Sequence, residues 1–204
     1  MARLILVRHG QTEWNRIERF RGRADLALNE TGVKQAEAVA ERLSGWNVAA
    51  VYSSPLRRAL MTAEIIGSRL GLLVQPLDGL IDINYGKWQG LSPAEAAKQD
   101  ADLYTRWLER PHEVVFPQGE SLQDVRLRIE GVIAEMLDKH SDQTVSLVSH
   151  VVVCRVFICT VLGLDNSHFW QIGQDTGAIN VIETRGAGLA LTLLNDTCHL
   201  KNIS

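Results

Sequence analysis

Two histidines and a cluster of arginines are the residues of this chain best suited to chemistry. Arg8-His9-Gly10 follows the apolar run 4–7, and Ser149-His150 follows the run 144–148. A third run, 48–52, passes into Ser53-Ser54-Pro55, with Arg57 and Arg58 opening the next segment. Residues 1–23 hold six arginines against two glutamates, a local charge of +4 on a chain of net charge −3, so the rest carries −7. A guanidinium cluster on an acidic chain suits a small anion and argues against general nucleic-acid binding. Histidine beside arginine suits phosphoryl transfer, whose transition state spreads negative charge over three oxygens. Arginine presents a rigid fork of donors matched to phosphate. A neutral imidazole nitrogen can attack phosphorus, and nearby guanidinium groups favour that neutral form. The six histidines and three cysteines (Cys154, Cys159, Cys198) show no paired ligand spacing, so no metal and no cofactor is expected.

These residues need a scaffold that brings them to one place. The runs 3–7, 48–52 and 144–148 are continuously apolar, as strands buried on both faces are, and 72–77 is a weaker fourth. Helical patterns lie between them at 31–43, with Asn29 and Thr31 as cap candidates, and at 56–70. Ser121 and Asp124 resemble a capping box before a further helix, and 151–162 is a more apolar one. Alternating strands and helices predict an α/β fold with a mainly parallel sheet flanked by helices. Residues 179–183 and 188–194 read as a hairpin that adds an antiparallel edge strand. The stretch 91–118, with Pro93, Pro111 and Pro117, reads as a small helical elaboration over the site, on one domain spanning 1–204. Ligands of open parallel sheets bind beyond the carboxyl ends of the strands, where His9, His150 and the arginines stand.

A longer pattern surrounds these positions. Leu6-Val7-Arg8-His9-Gly10-Gln11-Thr12-Glu13-Trp14-Asn15 is followed by Arg21-Gly22, by Tyr52-Ser53-Ser54-Pro55-Leu56-Arg57-Arg58-Ala59, by Gly86-Lys87-Trp88-Gln89-Gly90, by Gly119-Glu120-Ser121 and by Val148-Ser149-His150. This ordered set resembles the histidine phosphatase superfamily, also called the phosphoglycerate mutase-like family, along nearly the whole chain. The resemblance implies a phosphoglycerate mutase-like fold and a phosphohistidine on His9. It implies a phosphate pocket completed by Arg8, Arg58 and His150, with Asn15 and Arg21 as substrate-binding residues at the phosphate and the pocket rim. It departs from the family at two points. Asp82 stands where the family has a glutamate as general acid, which is about 1.5 Å less reach, so Glu13 is kept as an alternative acid. Val151 follows His150 where glycine is common.

The chain passes from Gly90 into Leu91-Ser92-Pro93 without the inserted segment of the cofactor-dependent mutases. The expected function is therefore a metal-independent phosphatase of small phosphomonoesters. The later half resembles more narrowly the metal-independent phosphoserine phosphatases, through Arg106-Trp107, Pro111-His112, Phe169-Trp170 and Thr197-Cys198-His199-Leu200. Tyr85 stands where that subfamily tends to carry a histidine beside the substrate, and His199 is expected to help close the pocket. Mutase-type phosphoryl transfer and a non-catalytic phosphate-binding regulatory relative stay open as alternatives. The partner expected is a small phosphorylated metabolite, with no nucleic acid and no membrane. A homodimer is left open, because Trp46, Trp107 and Trp170 serve equally as core or interface. No apolar run approaches 18 residues, 4–7 is too short for a signal-peptide core, and three cysteines are too few for a disulfide framework, so the expected location is the cytoplasm.

Overall fold

The structure, a computed structural model, describes residues 1–186, 188–201 and 203. Six strands form one sheet: β1 (Arg3–Arg8), β2 (Val48–Ser53), β3 (Val74–Pro76), β4 (Thr144–Ser149), β5 (Ile179–Arg185) and β6 (Gly188–Asp196). Their order is β3-β2-β4-β1-β5-β6. The first four strands pair in parallel, and β5 and β6 are antiparallel additions. The α/β architecture expected from the apolar runs is the one observed. The fourth run shortens to the three residues of β3, whose residues are half-buried or exposed.

Each central strand buries alternate residues on opposite faces, which is why its sequence is apolar throughout. Leu4 and Leu6 point to a core shared with α6 (Leu122–Lys139) and α7 (Val151–Val161). Ile5 and Val7 point to a second core under α2 (Glu30–Leu43) and α3 (Arg57–Leu70). Asn29, not Thr31, caps α2, accepting from Gly32 N at 2.8 Å. The Ser121–Asp124 capping box starts α6. The stretch after Gly90 forms α4 (Pro93–Gln99), α5 (Ala101–Glu109) and a 3₁₀ turn at Pro111–Glu113. A second 3₁₀ turn, Asn166–Gln171, packs against it through Trp107, Phe169 and Trp170.

The strand register positions the site. In the parallel pair β1/β4, Arg8 lies opposite Ser149, so the next residues, His9 and His150, leave adjacent strands at one edge. His9 N donates to Ser149 O at 2.9 Å and extends the ladder by one bond. Gly10 is required here: a Cβ would stand 2.3 Å from Gly32 O, because the loop after β1 packs backbone to backbone on the first turn of α2.

Candidate active site

The imidazoles of His9 and His150 lie with ring centroids 5.1 Å apart. His9 Nδ1 donates to Gly10 O at 2.6 Å, which fixes the proton on that nitrogen and leaves Nε2 with a lone pair. Arg58, from the first turn of α3, donates its Nε–H to His9 Nε2 at 3.2 Å. The same guanidinium is held by Ala24 O at 2.7 Å and Gly22 O at 2.8 Å, and pairs with Asp82 Oδ2 at 3.0 Å. Asp82 Oδ2 also lies 3.8 Å from His150 Nδ1. Ser54 Oγ lies 2.7 Å from His150 Nε2, the one acceptor within reach of that hydroxyl among the described residues, so the hydroxyl donates to the ring and the His150 proton sits on Nδ1. Arg8 Nη1 donates to Gln174 O. Gln174 is in turn fixed by Asn180, which donates to Leu6 O at 3.1 Å.

Three donors in this cluster are buried without a protein partner: His150 Nδ1, Arg8 Nε and Arg21 Nε. Buried N–H groups are ordinarily satisfied. Unpartnered donors around an uncharged imidazole form a site suited to the oxygens of an anion.

The electrostatics favour a neutral nucleophile. Burial lowers the proton affinity of both histidines well below its ordinary value, and Arg58 lowers both further, with Arg8 also acting on His9. Burial also lowers Arg8 to about 10, with Arg21 adding repulsion, so it stays charged at neutral pH. Burial raises the Asp82 carboxyl above its ordinary range, against the pull of Arg58. An incoming phosphate dianion raises it further, since like charges oppose ionisation.

His9, Arg58 and His150 are fully buried. A cavity of about 390 Å³ reaches this cluster through Arg8, Arg21 and Asp82, which line it. Its outer wall is aromatic: Phe20, Tyr85, Tyr104, Trp107, Phe169 and Trp170. Tyr104, Trp107 and Leu108 come from α5, inside the elaboration.

The model of the histidine phosphatase superfamily (branch 1) matches residues 4–197. The chain belongs to this superfamily. It is a phosphomonoester hydrolase of the histidine phosphatase type. Phosphoserine phosphatase 1 of Hydrogenobacter thermophilus is 40% identical over 200 residues, covering 98% of this chain and 95% of that protein. The structure of YhfR from Bacillus stearothermophilus matches with a TM-score of 0.94 at 28% identity, covering 98% of this chain and 100% of that one. A phosphoserine phosphatase variant of Entamoeba histolytica, solved with phosphoserine, matches with a TM-score of 0.88 at 28% identity over 98% and 100%.

The phosphatase gathers His9, Arg8, Arg58, His150 and Asp82 at one place. Arg21 and Tyr85 line the adjoining cavity, as does Asn15. Asn15 Oδ1 accepts from Thr12 N and Thr12 Oγ1, so its Nδ2 is the group turned to donate. Glu13 is exposed and bound to Arg16, outside the cavity lining. His199 does not close the pocket. Its Nε2 lies 2.9 Å from Gly177 O, and Gly177 N donates to Arg8 O and His9 O, so the ring braces the end of β1 from behind. The tail leaves β6 on the α2 side of the sheet, which turns His199 away from the cavity. Cys198 is exposed and also outside the lining. Of the tryptophans, Trp107 and Trp170 line the cavity, and Trp46 packs under Arg3 and Arg42. Among the described residues no helix is long and apolar enough to cross a membrane.

Sequence reasoning did not single out Ser54 as a partner of His150, nor Arg155 or the aromatic wall as cavity lining. Arg155 carried a signal: it is the one charge in the apolar segment 151–162.

Proposed function

We propose that the enzyme hydrolyses small phosphomonoesters, phosphoserine among them, by way of a phosphohistidine at His9 and without a metal ion. The observation that carries this reading is the fixed tautomer of His9. With the proton held on Nδ1 by Gly10 O, the Nε2 lone pair attacks phosphorus, exchanging its 3.2 Å contact with Arg58 for an N–P bond. The P–O bond to the leaving group breaks, and the Asp82 carboxylic acid gives that oxygen its proton. Arg8, Arg58 and the Nδ1–H of His150 bind the equatorial oxygens. In the second step the Asp82 carboxylate takes a proton from water, the water oxygen bonds to phosphorus, and the N–P bond breaks. Exposure of Glu13 favours Asp82 as the acid. The relatives' phosphoserine and the site's size favour a small substrate. Three free cysteines fit a reducing cytoplasm.

The test is a panel of p-nitrophenyl phosphate, phosphoserine and 3-phosphoglycerate with chelator present. Release of phosphate is expected. Positional transfer without release, or bound phosphate without turnover, overturns the reading.

A further inference from the structure

Arg155 is a half-buried charge on the apolar helix α7, with its guanidinium on the cavity wall. Buried charges are ordinarily paired, because an unpaired one loses its hydration without return. Arg155 has no acidic side chain within ion-pair distance among the described residues, although other buried or half-buried arginines such as Arg58, Arg126 and Arg128 are paired. It is nevertheless held in place. Its Nε donates to Ile172 O at 2.8 Å, and its Cζ lies over two rings, 5.0 Å from the Phe169 centroid and 4.8 Å from the Trp170 centroid. Trp170 is itself anchored through Nε1 to Trp107 O at 2.8 Å.

With Nε engaged and the cation held over two rings, Nη1 and Nη2 are the donors that remain to bind a ligand. That pair matches the two oxygens of one carboxylate, and one guanidinium balances one negative charge. Arg8 lines the same cavity at the phosphate end, and the walls between are aromatic.

We propose that Arg155 forms a second subsite that binds a carboxylate on the leaving group, so that the enzyme selects phosphomonoesters with a carboxylated, preferably flat and apolar, leaving group. This deepens the phosphatase reading, and its turnover arm rests on it. Tyr85, standing where the phosphoserine phosphatases tend to carry a histidine, brings no positive charge to the cavity. Arg155 supplies one from α7.

The experiment compares phenyl phosphate with 3- and 4-carboxyphenyl phosphate in the wild type, in Arg155→Met and in Arg155→Lys. The wild type is expected to favour a carboxylated compound in kcat/KM. In Arg155→Met the ratio of carboxylated to uncharged substrate falls about 10- to 100-fold, mostly through KM, the range of a charge-assisted hydrogen bond. Arg155→Lys keeps part of the preference, since it restores the charge without the fork. A structural strut would move both substrates together, so a ratio unchanged within about twofold overturns the proposal. Calorimetric binding of phenylphosphonate against 4-carboxyphenylphosphonate reads the same ratio without turnover. A protein that binds with this contrast but hydrolyses nothing refutes the phosphatase reading and keeps the subsite.

Discussion

The two ends of the cavity are built on different principles. At the phosphate end, His9 and His150 stand directly after strands β1 and β4, Arg58 stands in the first turn of α3 after β2, and the sheet register brings them together. Every side chain there is tied to backbone or to another buried group, and the nucleophile is fully buried. At the leaving-group end, the walls come from α5, the Asn166–Gln171 turn and α7, and meet through aromatic packing. Trp170 there is 41% exposed. The contrast separates the chemistry from its selectivity. Charge stabilisation needs donors fixed before the substrate arrives. Discrimination between leaving groups needs only a surface, which can change without moving the sheet.

Substitutions at the two ends should therefore fail in different ways. The largest effect is expected from His9→Ala, which abolishes the acid-labile, base-stable phosphoenzyme and lowers turnover by at least about 10⁴. Radiolabelled phosphate transfer and steady-state rates measure it, and persistent turnover would break the assignment. Next, Asp82→Asn should cost about 10²–10⁴ in rate for a poor alkoxide leaving group such as that of phosphoserine, and much less for p-nitrophenyl phosphate. Glu13→Gln, on the exposed helix α1 (Glu13–Arg16), should leave both rates within about twofold. If the two variants exchange these phenotypes, Asp82 is not the acid.

At the other end, Trp107→Ala should show first as lost stability, about 3–5 kcal/mol by urea unfolding. The half-exposed Trp170→Ala should lose less and show instead in KM.

The smallest expected effect is a pH dependence of stability. His9 and His150 have folded values below their unfolded value of about 6.5, so the unfolded chain binds more protons below that pH. Their contribution is present above about pH 6.5 and lost as pH falls, by up to about 1.4 kcal/mol per pH unit for each histidine. Asp82, raised by burial, runs the other way: its contribution is present below about pH 4 and lost as pH rises. His199, also lowered by burial, adds to these two, and three groups against one predict a net loss on acidification between about pH 6.5 and 5, with a smaller slope in His150→Gln. Urea titrations at several pH values check it, and an unchanged slope would sink the neutral pairing of the two imidazoles.

The phosphate end was legible in the sequence because strand ends are. Continuous apolar runs mark buried parallel strands, and the residues after them share one edge whatever the loops do. Asp82 stands at a family position legible by resemblance, and its contact with Arg58 is made only when the loop before Gly86 meets the first turn of α3. The leaving-group end was not legible. Phe20, Tyr104, Trp107 and Phe169 have the residue types of a core, and only their packing shows that one side of each faces a cavity. The placement of His199 was not legible either, because a tail has no period to say which side of the sheet it will cover.

The sequence alone determined that two imidazoles and a guanidinium would meet at one rim of a parallel sheet, since local hydrophobic pattern fixes strand ends and parallel pairing aligns them. Tertiary structure decided which nitrogen of each ring carries its proton, which acid stands beside them and which donors of Arg155 are left to bind a ligand. Those outcomes depend on carbonyls, hydroxyls and rings contributed by segments far apart in the chain, whose meeting no local pattern encodes.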